Sequence, residues 1–145
     1  MILQNLNIDD CVGCDFSNSA VRDTKFQAAT VRDCDMSEVT ISDSNLVSAQ
    51  IDNAMLNGTS VSNSSMDNSD ITNVSMSDVC ILNGDIKNGL FDGVDMTDAK
   101  FAGCDLKGAR FDNCNLENIA IRSCQISGMT IDGIPLKALL EKFYT

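Results

Sequence analysis

From Phe16 to Ile131 every fifth residue is apolar, 24 in succession, with no insertion or deletion. The spacing is plainest in Phe101-Ala-Gly-Cys-Asp-Leu-Lys-Gly-Ala-Arg-Phe-Asp-Asn-Cys-Asn-Leu116, where Phe101, Leu106, Phe111 and Leu116 are separated by five each time. Few chains can satisfy such a pattern. A helix turns every 3.6 residues and would spread these side chains around its whole circumference, whereas a strand alternates faces every two residues. In an uninterrupted strand, an odd period would send successive apolar residues to opposite faces. All 24 are apolar, so the alternation must be broken once per unit.

Two further positions show where. Two residues before each apolar centre, from Cys14 to Met129, stands Ala, Cys, Gly, Ser, Thr or Val in 22 of 24 units, with Ile119 and Met129 as exceptions. Two residues after each centre, from Asn18 to Gly133, stands Asn, Asp or Gly in 20 of 24. Those three residues accept left-handed or turn dihedrals at least cost, so this position is the predicted corner. Each unit then reads as a short extended piece ending in a bend. The small residue and the centre face inward, and the residues flanking the centre face out. A large buried side chain contributes about 1.5–3 kcal/mol, so the centres alone supply ample driving force for folding.

Units such as Ala99-Lys-Phe-Ala-Gly, Cys104-Asp-Leu-Lys-Gly, Ala109-Arg-Phe-Asp-Asn and Cys114-Asn-Leu-Glu-Asn resemble the pentapeptide-repeat family, whose consensus unit is Ala-(Asp/Asn)-Leu-x-x. The resemblance covers residues 12 to 133. It implies an all-β solenoid, a right-handed quadrilateral parallel β-helix with four units per coil and about six coils. Two departures stand out: Ser, Thr and Val often replace Ala, and the residue before the centre is often not acidic. Residues 1–133 are therefore expected to form the β-helix. Within them, residues 1–11 make an imperfect entry or cap, because extending the register back to Cys11 and Leu6 puts Asp9 and Gln4 at small-residue positions.

The repeat ends at Gly133. Beyond it, Pro135 is placed for a first helical turn, and Leu136, Leu139, Leu140 and Phe143 share one face at three- and four-residue spacing. Residues 134–145 are thus expected to form a short amphipathic helix. It either covers the open strand edges of the last coil or, as in family members that associate through this end, forms a homodimer contact.

With four units per coil, the 20-residue stacking period assigns every outward residue to a wall. The wall centred on Phe16, Met36, Leu56, Met76, Met96 and Leu116 carries Asp15, Asp35, Glu38, Asp78, Asp95, Asp98 and Glu117 and no base, a charge of −7. Its neighbour, centred on Val31 to Ile131, carries Asp33, Asp52, Asp70, Asp92, Asp112 and Asp132 against Arg32 and Arg110, a charge of −4. The other two walls sum to +1 and 0. Val47, Met55, Leu82 and Leu90 point outward as scattered apolars, Leu82 and Leu90 on opposite walls, and form no single patch.

The net charge of −11 opposes direct binding to nucleic acid or anionic membrane and favours a basic protein surface as partner. No apolar run approaches the ~20 residues of a transmembrane helix, and Met1-Ile-Leu-Gln-Asn5 lacks a signal peptide's basic and apolar segments, so the chain reads as cytoplasmic. Seven cysteines in that setting predict no disulfide framework, and Cys11-Val-Gly-Cys14 has no second pair or histidine to complete a zinc site. Histidine is absent, and a stack of like residues offers no distinct nucleophile, base and orienting group around one cavity. Neither a calcium loop nor a phosphate-binding glycine loop occurs, so no enzyme and no cofactor is expected. Two readings of function remain. One is a β-helical scaffold or protein-binding module with an acidic side. The other, implied by family members that protect DNA gyrase from fluoroquinolones, is a DNA mimic acting on a topoisomerase.

Overall fold

A computed structural model describes residues 1–143, and side chains as far as Lys142. The chain forms β1 (Ile2–Gln4), β2 (Asp10–Val12), β3 (Ala20–Arg22), β4 (Thr30–Arg32), β5 (Thr40–Ser42), β6 (Gln50–Asp52), β7 (Ser60–Ser62) and β8 (Asp70–Thr72). It continues as β9 (Cys80–Leu82), β10 (Leu90–Asp92), β11 (Lys100–Ala102), β12 (Arg110–Asp112), β13 (Ala120–Arg122), β14 (Thr130–Ile131), β15 (Ile134–Pro135) and α1 (Leu136–Phe143). The odd strands β1 to β13 stack into one parallel sheet, and the even strands β2 to β14 into a second. Two further walls are held by single parallel bridges, Asp15↔Asp35↔Met55↔Ser75↔Asp95↔Asn115 and Lys25↔Asn45↔Ser65↔Asp85↔Asp105↔Gln125. The result is a four-walled parallel β-solenoid of about six turns. Register advances by 20 residues, as in Val31↔Ile51↔Ile71↔Phe91↔Phe111. Seven stacked strands at ~4.8 Å separation give a rod about 29 Å long.

The corner prediction can be checked residue by residue. From Gly13 to Gly133, every fifth residue has a positive φ, between 48° and 76°. This includes the four that are not Asn, Asp or Gly: Ala28, Glu38, Ser48 and Ser123. The left-handed residue reverses the strand's facing once per unit, so Phe26, Met36, Ile41, Ile51, Ile71 and Ile81 all turn inward and are buried. Phe91 and Phe111 stack with centroids 4.8 Å apart, and Phe101 meets Phe111 edge-on at 6.2 Å.

Corners come in two kinds, a distinction the period of five does not reveal. After the centres numbered in 6, except Met36 and Met76, the chain closes a hydrogen-bonded turn: Ser19 N donates to Phe16 O at 3.1 Å, Ala29 N to Phe26 O at 2.9 Å and Ala109 N to Leu106 O at 3.0 Å. Positive φ at the third residue makes these type II turns. After centres numbered in 1, no such bond forms, and the small residue's amide needs another acceptor. Where the small residue one coil on carries a hydroxyl or a thiol, that group provides it. Thr24 N donates to Ser44 Oγ (3.3 Å), Ser44 N to Ser64 Oγ (3.1 Å), Cys14 N to Cys34 Sγ (3.4 Å) and Cys104 N to Cys124 Sγ (3.3 Å). A buried amide is costly to leave unpaired, which explains why Ser, Thr and five cysteines replace Ala at positions ending in 4.

Both ends differ in detail from the sequence expectation. At the N-terminus β1 pairs Leu3 with Val21, an offset of 18 rather than 20. Leu3 and Ile8 therefore pack against the core, and Leu6, the residue a strict extension of the register would bury, is 41% exposed. At the C-terminus Pro135 does not enter the helix. It lies in β15, which pairs antiparallel with β14, and α1 starts only at Leu136, whose amide donates to Met129 O. Proline's missing N–H costs nothing on such an edge strand.

Candidate acidic interface

Asp15, Asp35 and Asp95 occupy one column of the bridged wall, where Met55, Ser75 and Asn115 fill the intervening and final places. Each of the three carboxylates accepts two bonds from the residue two further on. Ser17 N and Oγ lie 2.9 and 2.6 Å from Asp15 Oδ1, Ser37 N and Oγ 3.0 and 2.6 Å from Asp35 Oδ1, and Thr97 N and Oγ1 3.1 and 2.6 Å from Asp95 Oδ1. These bonds hold the Asp15 carboxyl below its ordinary range, the Ser17 hydroxyl being the chief cause. The three aspartates thus brace the corner that follows each of them, and the spelling Asp-x-Ser/Thr at 15–17, 35–37 and 95–97 is the signal for that role. Glu38, Asp78 and Asp98 sit at positive-φ corners of the same wall. Glu117 follows one coil beyond Thr97, its amide bonded to Asn115 Oδ1.

The wall is not uniformly acidic. Met55, 47% exposed, and Gly58 interrupt it in the third coil, leaving Asp15, Asp35 and Glu38 below and Asp78, Asp95, Asp98 and Glu117 above. The neighbouring sheet supplies Asp92 and Asp112 in register, with Asp132 one coil further. Asn113 links this group, its amide donating to Asp132 Oδ1 (2.8 Å) and its Nδ2 to Asp92 Oδ1 (3.1 Å). Arg110 pairs with Asp112 at 3.2 Å and offsets one charge.

Among the described residues no group of three His, Cys, Asp or Glu is arranged to hold a metal ion. Burial, helped by Cys14 and Cys34, pushes the Cys11 thiol up to about 12, and burial likewise raises Cys34, Cys104 and Cys114. These four thiols stay protonated near neutrality and act as small packing groups rather than nucleophiles. At the C-terminal end Leu136 packs on the core, whereas Leu139 and Leu140 are each 39% exposed; the Phe143 side chain lies outside the described residues.

The family description "Pentapeptide repeats" matches residues 44–81 and 85–124, in eight copies. Among solved structures, the chain is similar to the pentapeptide repeat protein Rfr23 from the cyanobacterium Cyanothece 51142, with 15% identity, 85% of this chain and 91% of that one covered, and a TM-score of 0.47. HetL, involved in heterocyst differentiation regulation in the cyanobacterium Nostoc sp. strain PCC 7120, shares 12% identity over 92% and 88% of the two chains, with a TM-score of 0.34. QnrB1, a plasmid-mediated fluoroquinolone resistance protein, shares 14% identity over 100% and 96%, with a TM-score of 0.35. No curated protein sequence matches significantly.

Proposed function

The chain belongs to the pentapeptide-repeat family, and from that premise we propose that it is a non-enzymatic β-helical binding scaffold whose acidic side engages a basic surface on a partner protein. One observation carries the reading: the two acidic walls adjoin, so Asp52, Asp92 and Asp112 of one and Asp15, Asp35 and Asp95 of the other flank the same corner of the rod. Charge arranged in this way steers a basic partner and fixes its orientation more than it adds raw affinity. The test compares capture of partners by the wild type and by the Asp78→Lys/Asp95→Lys/Asp98→Lys variant at low and moderate salt. The partner is expected to be lost from the variant and to leave the wild type as salt rises. A partner retained equally under all four conditions refutes the acidic wall as the recognition surface.

A second reading, DNA mimicry toward a type II topoisomerase, is favoured by the length of the acidic side. Duplex DNA carries one charge per ~1.7 Å, about 17 over a 29 Å rod, and the two walls offer 13 carboxylates. A gyrase supercoiling assay with and without a fluoroquinolone separates the two readings. No effect at micromolar protein removes mimicry and leaves the scaffold reading intact. Exposed Leu139 and Leu140 also support association of two copies through the C-terminal end, which sedimentation of a Leu139→Ser/Leu140→Ser variant tests.

A further inference from the structure

On the wall formed by the odd strands, the outward residues of β9, β11 and β13 make a checkerboard. One column reads Cys80, Lys100, Ala120, and the other Leu82, Ala102, Arg122. Large side chains stand at Leu82, Lys100 and Arg122, and small ones at Ala102 and Ala120 between them. The step in height opens a hollow of about 260 Å³ lined by these six residues and floored by Phe101. Leu82 is 43% exposed at its rim. Lys100 and Arg122 are exposed, and neither makes an ion pair with a described residue. No carboxylate lines the hollow, although the chain as a whole carries −11.

We propose that this hollow is a docking site for an acidic, extended segment of a partner protein that inserts one apolar side chain between two carboxylates. The site lies on a different wall from the acidic corner and has the opposite charge, so it goes beyond the reading given above. Its volume is below that of ordinary small-molecule pockets, and it suits one or two peptide side chains. The apolar floor takes the aliphatic group, and unpaired cations on opposite corners take the acids. Across this checkerboard Lys100 and Arg122 lie on a diagonal of roughly 8 Å between backbones, given ~4.8 Å between strands and ~6.6 Å between alternate residues. In an extended peptide, alternate residues share a face. Acid–x–apolar–x–acid puts its carboxylates about 13 Å apart, and the long stems of Lys100 and Arg122 make up the difference from backbones roughly 8 Å apart.

The probe is a fluorescein-labelled peptide, Asp-Ser-Leu-Ser-Asp, with Lys-Ser-Leu-Ser-Lys as control, titrated into the full chain and followed by anisotropy and by amide shifts of the ¹⁵N-labelled protein. The acidic peptide should bind at least tenfold more tightly than the basic one and shift Leu82, Lys100, Ala102, Ala120 and Arg122. Lys100→Glu with Arg122→Glu should weaken it at least tenfold. Ala102→Leu, which fills the hollow and leaves both cations in place, should weaken it comparably. Equal binding of the two peptides, shifts centred elsewhere, or full affinity in the Ala102→Leu variant overturns the proposal. If the wild type alone forms oligomers that Ala102→Leu disperses, the occupant is a second copy of the chain and the peptide reading falls.

Discussion

Replacing Ala54 with serine should stabilise the rod by about 1 kcal/mol, and the reason lies in the two kinds of corner. Ala54 is 4% exposed and ends a corner that lacks a turn bond. One coil below it, the Cys34 amide finds no acceptor, whereas Thr24 and Ser44, at equivalent corners, donate to Ser44 Oγ and Ser64 Oγ. A hydroxyl at 54 would accept from Cys34 N and donate to Asp52 O, as Ser44 and Ser64 donate to Ser42 O and Ser62 O, both at 2.9 Å. Two buried hydrogen bonds at about 0.5–1.5 kcal/mol each, less the cost of burying the hydroxyl, leave roughly 1 kcal/mol. In a chain of this length that corresponds to a Tm rise of about 2–4 °C. Ala49→Ser is the control, because it ends a type II turn and the amide one coil below, Ala29 N, already donates to Phe26 O. It should change Tm little. Urea or thermal unfolding measures both variants, and amide exchange at Cys34 should slow only in Ala54→Ser. Equal stabilisation by the two serines, or unchanged exchange at Cys34, would refute the corner argument.

Phe111→Ala removes the side chain that both stacks on Phe91 and meets Phe101 edge-on, and should cost about 3–5 kcal/mol in urea unfolding, with Phe111→Leu costing less. Ala28 holds φ at 57° with no polar side chain to compensate, so Ala28→Asn should stabilise by about 0.5–1 kcal/mol, read as a shifted urea midpoint. Raised thiols make the fold sensitive to alkali. Below 9.0 both states keep Cys11 protonated, and above it the unfolded chain releases the proton first, so stability falls as pH rises toward about 12. Urea midpoints measured above pH 9 should decline less steeply in Cys11→Ala; an identical decline would contradict the assignment.

How much of this was legible beforehand is clearest at individual residues. The corner at each fifth residue followed from an odd period with uniformly apolar centres, and Ala28, Glu38, Ser48 and Ser123 adopt it although their side chains do not favour it. Neighbouring coils impose the bend there. The acidic walls also followed from the 20-residue period, because stacking in register carries sequence position directly into space. The brace made by Asp15, Asp35 and Asp95 was present as a spelling, Asp-x-Ser/Thr, but its meaning needed the turn that the serine or threonine completes.

Features that break the period escaped the sequence. The offset of 18 in the first coil packs half-buried Leu3 and Ile8 against the core in place of Leu6, and a two-residue strand takes Pro135 before the helix begins. At the ends one neighbouring coil is missing, so local packing overrides the repeat. The difference between turn-bonded and open corners, and the hollow beside Lys100 and Arg122, likewise depend on which residue lies one coil away. Sequence alone therefore determined the inward-facing centres and the corners, because each follows from a periodicity local to five residues, while the side on which charge accumulates also needed the four units per coil that the family resemblance implies. Tertiary structure decided which amides lack partners, which carboxylates brace turns and where a cavity opens, because those depend on contacts between residues 20 apart along the chain.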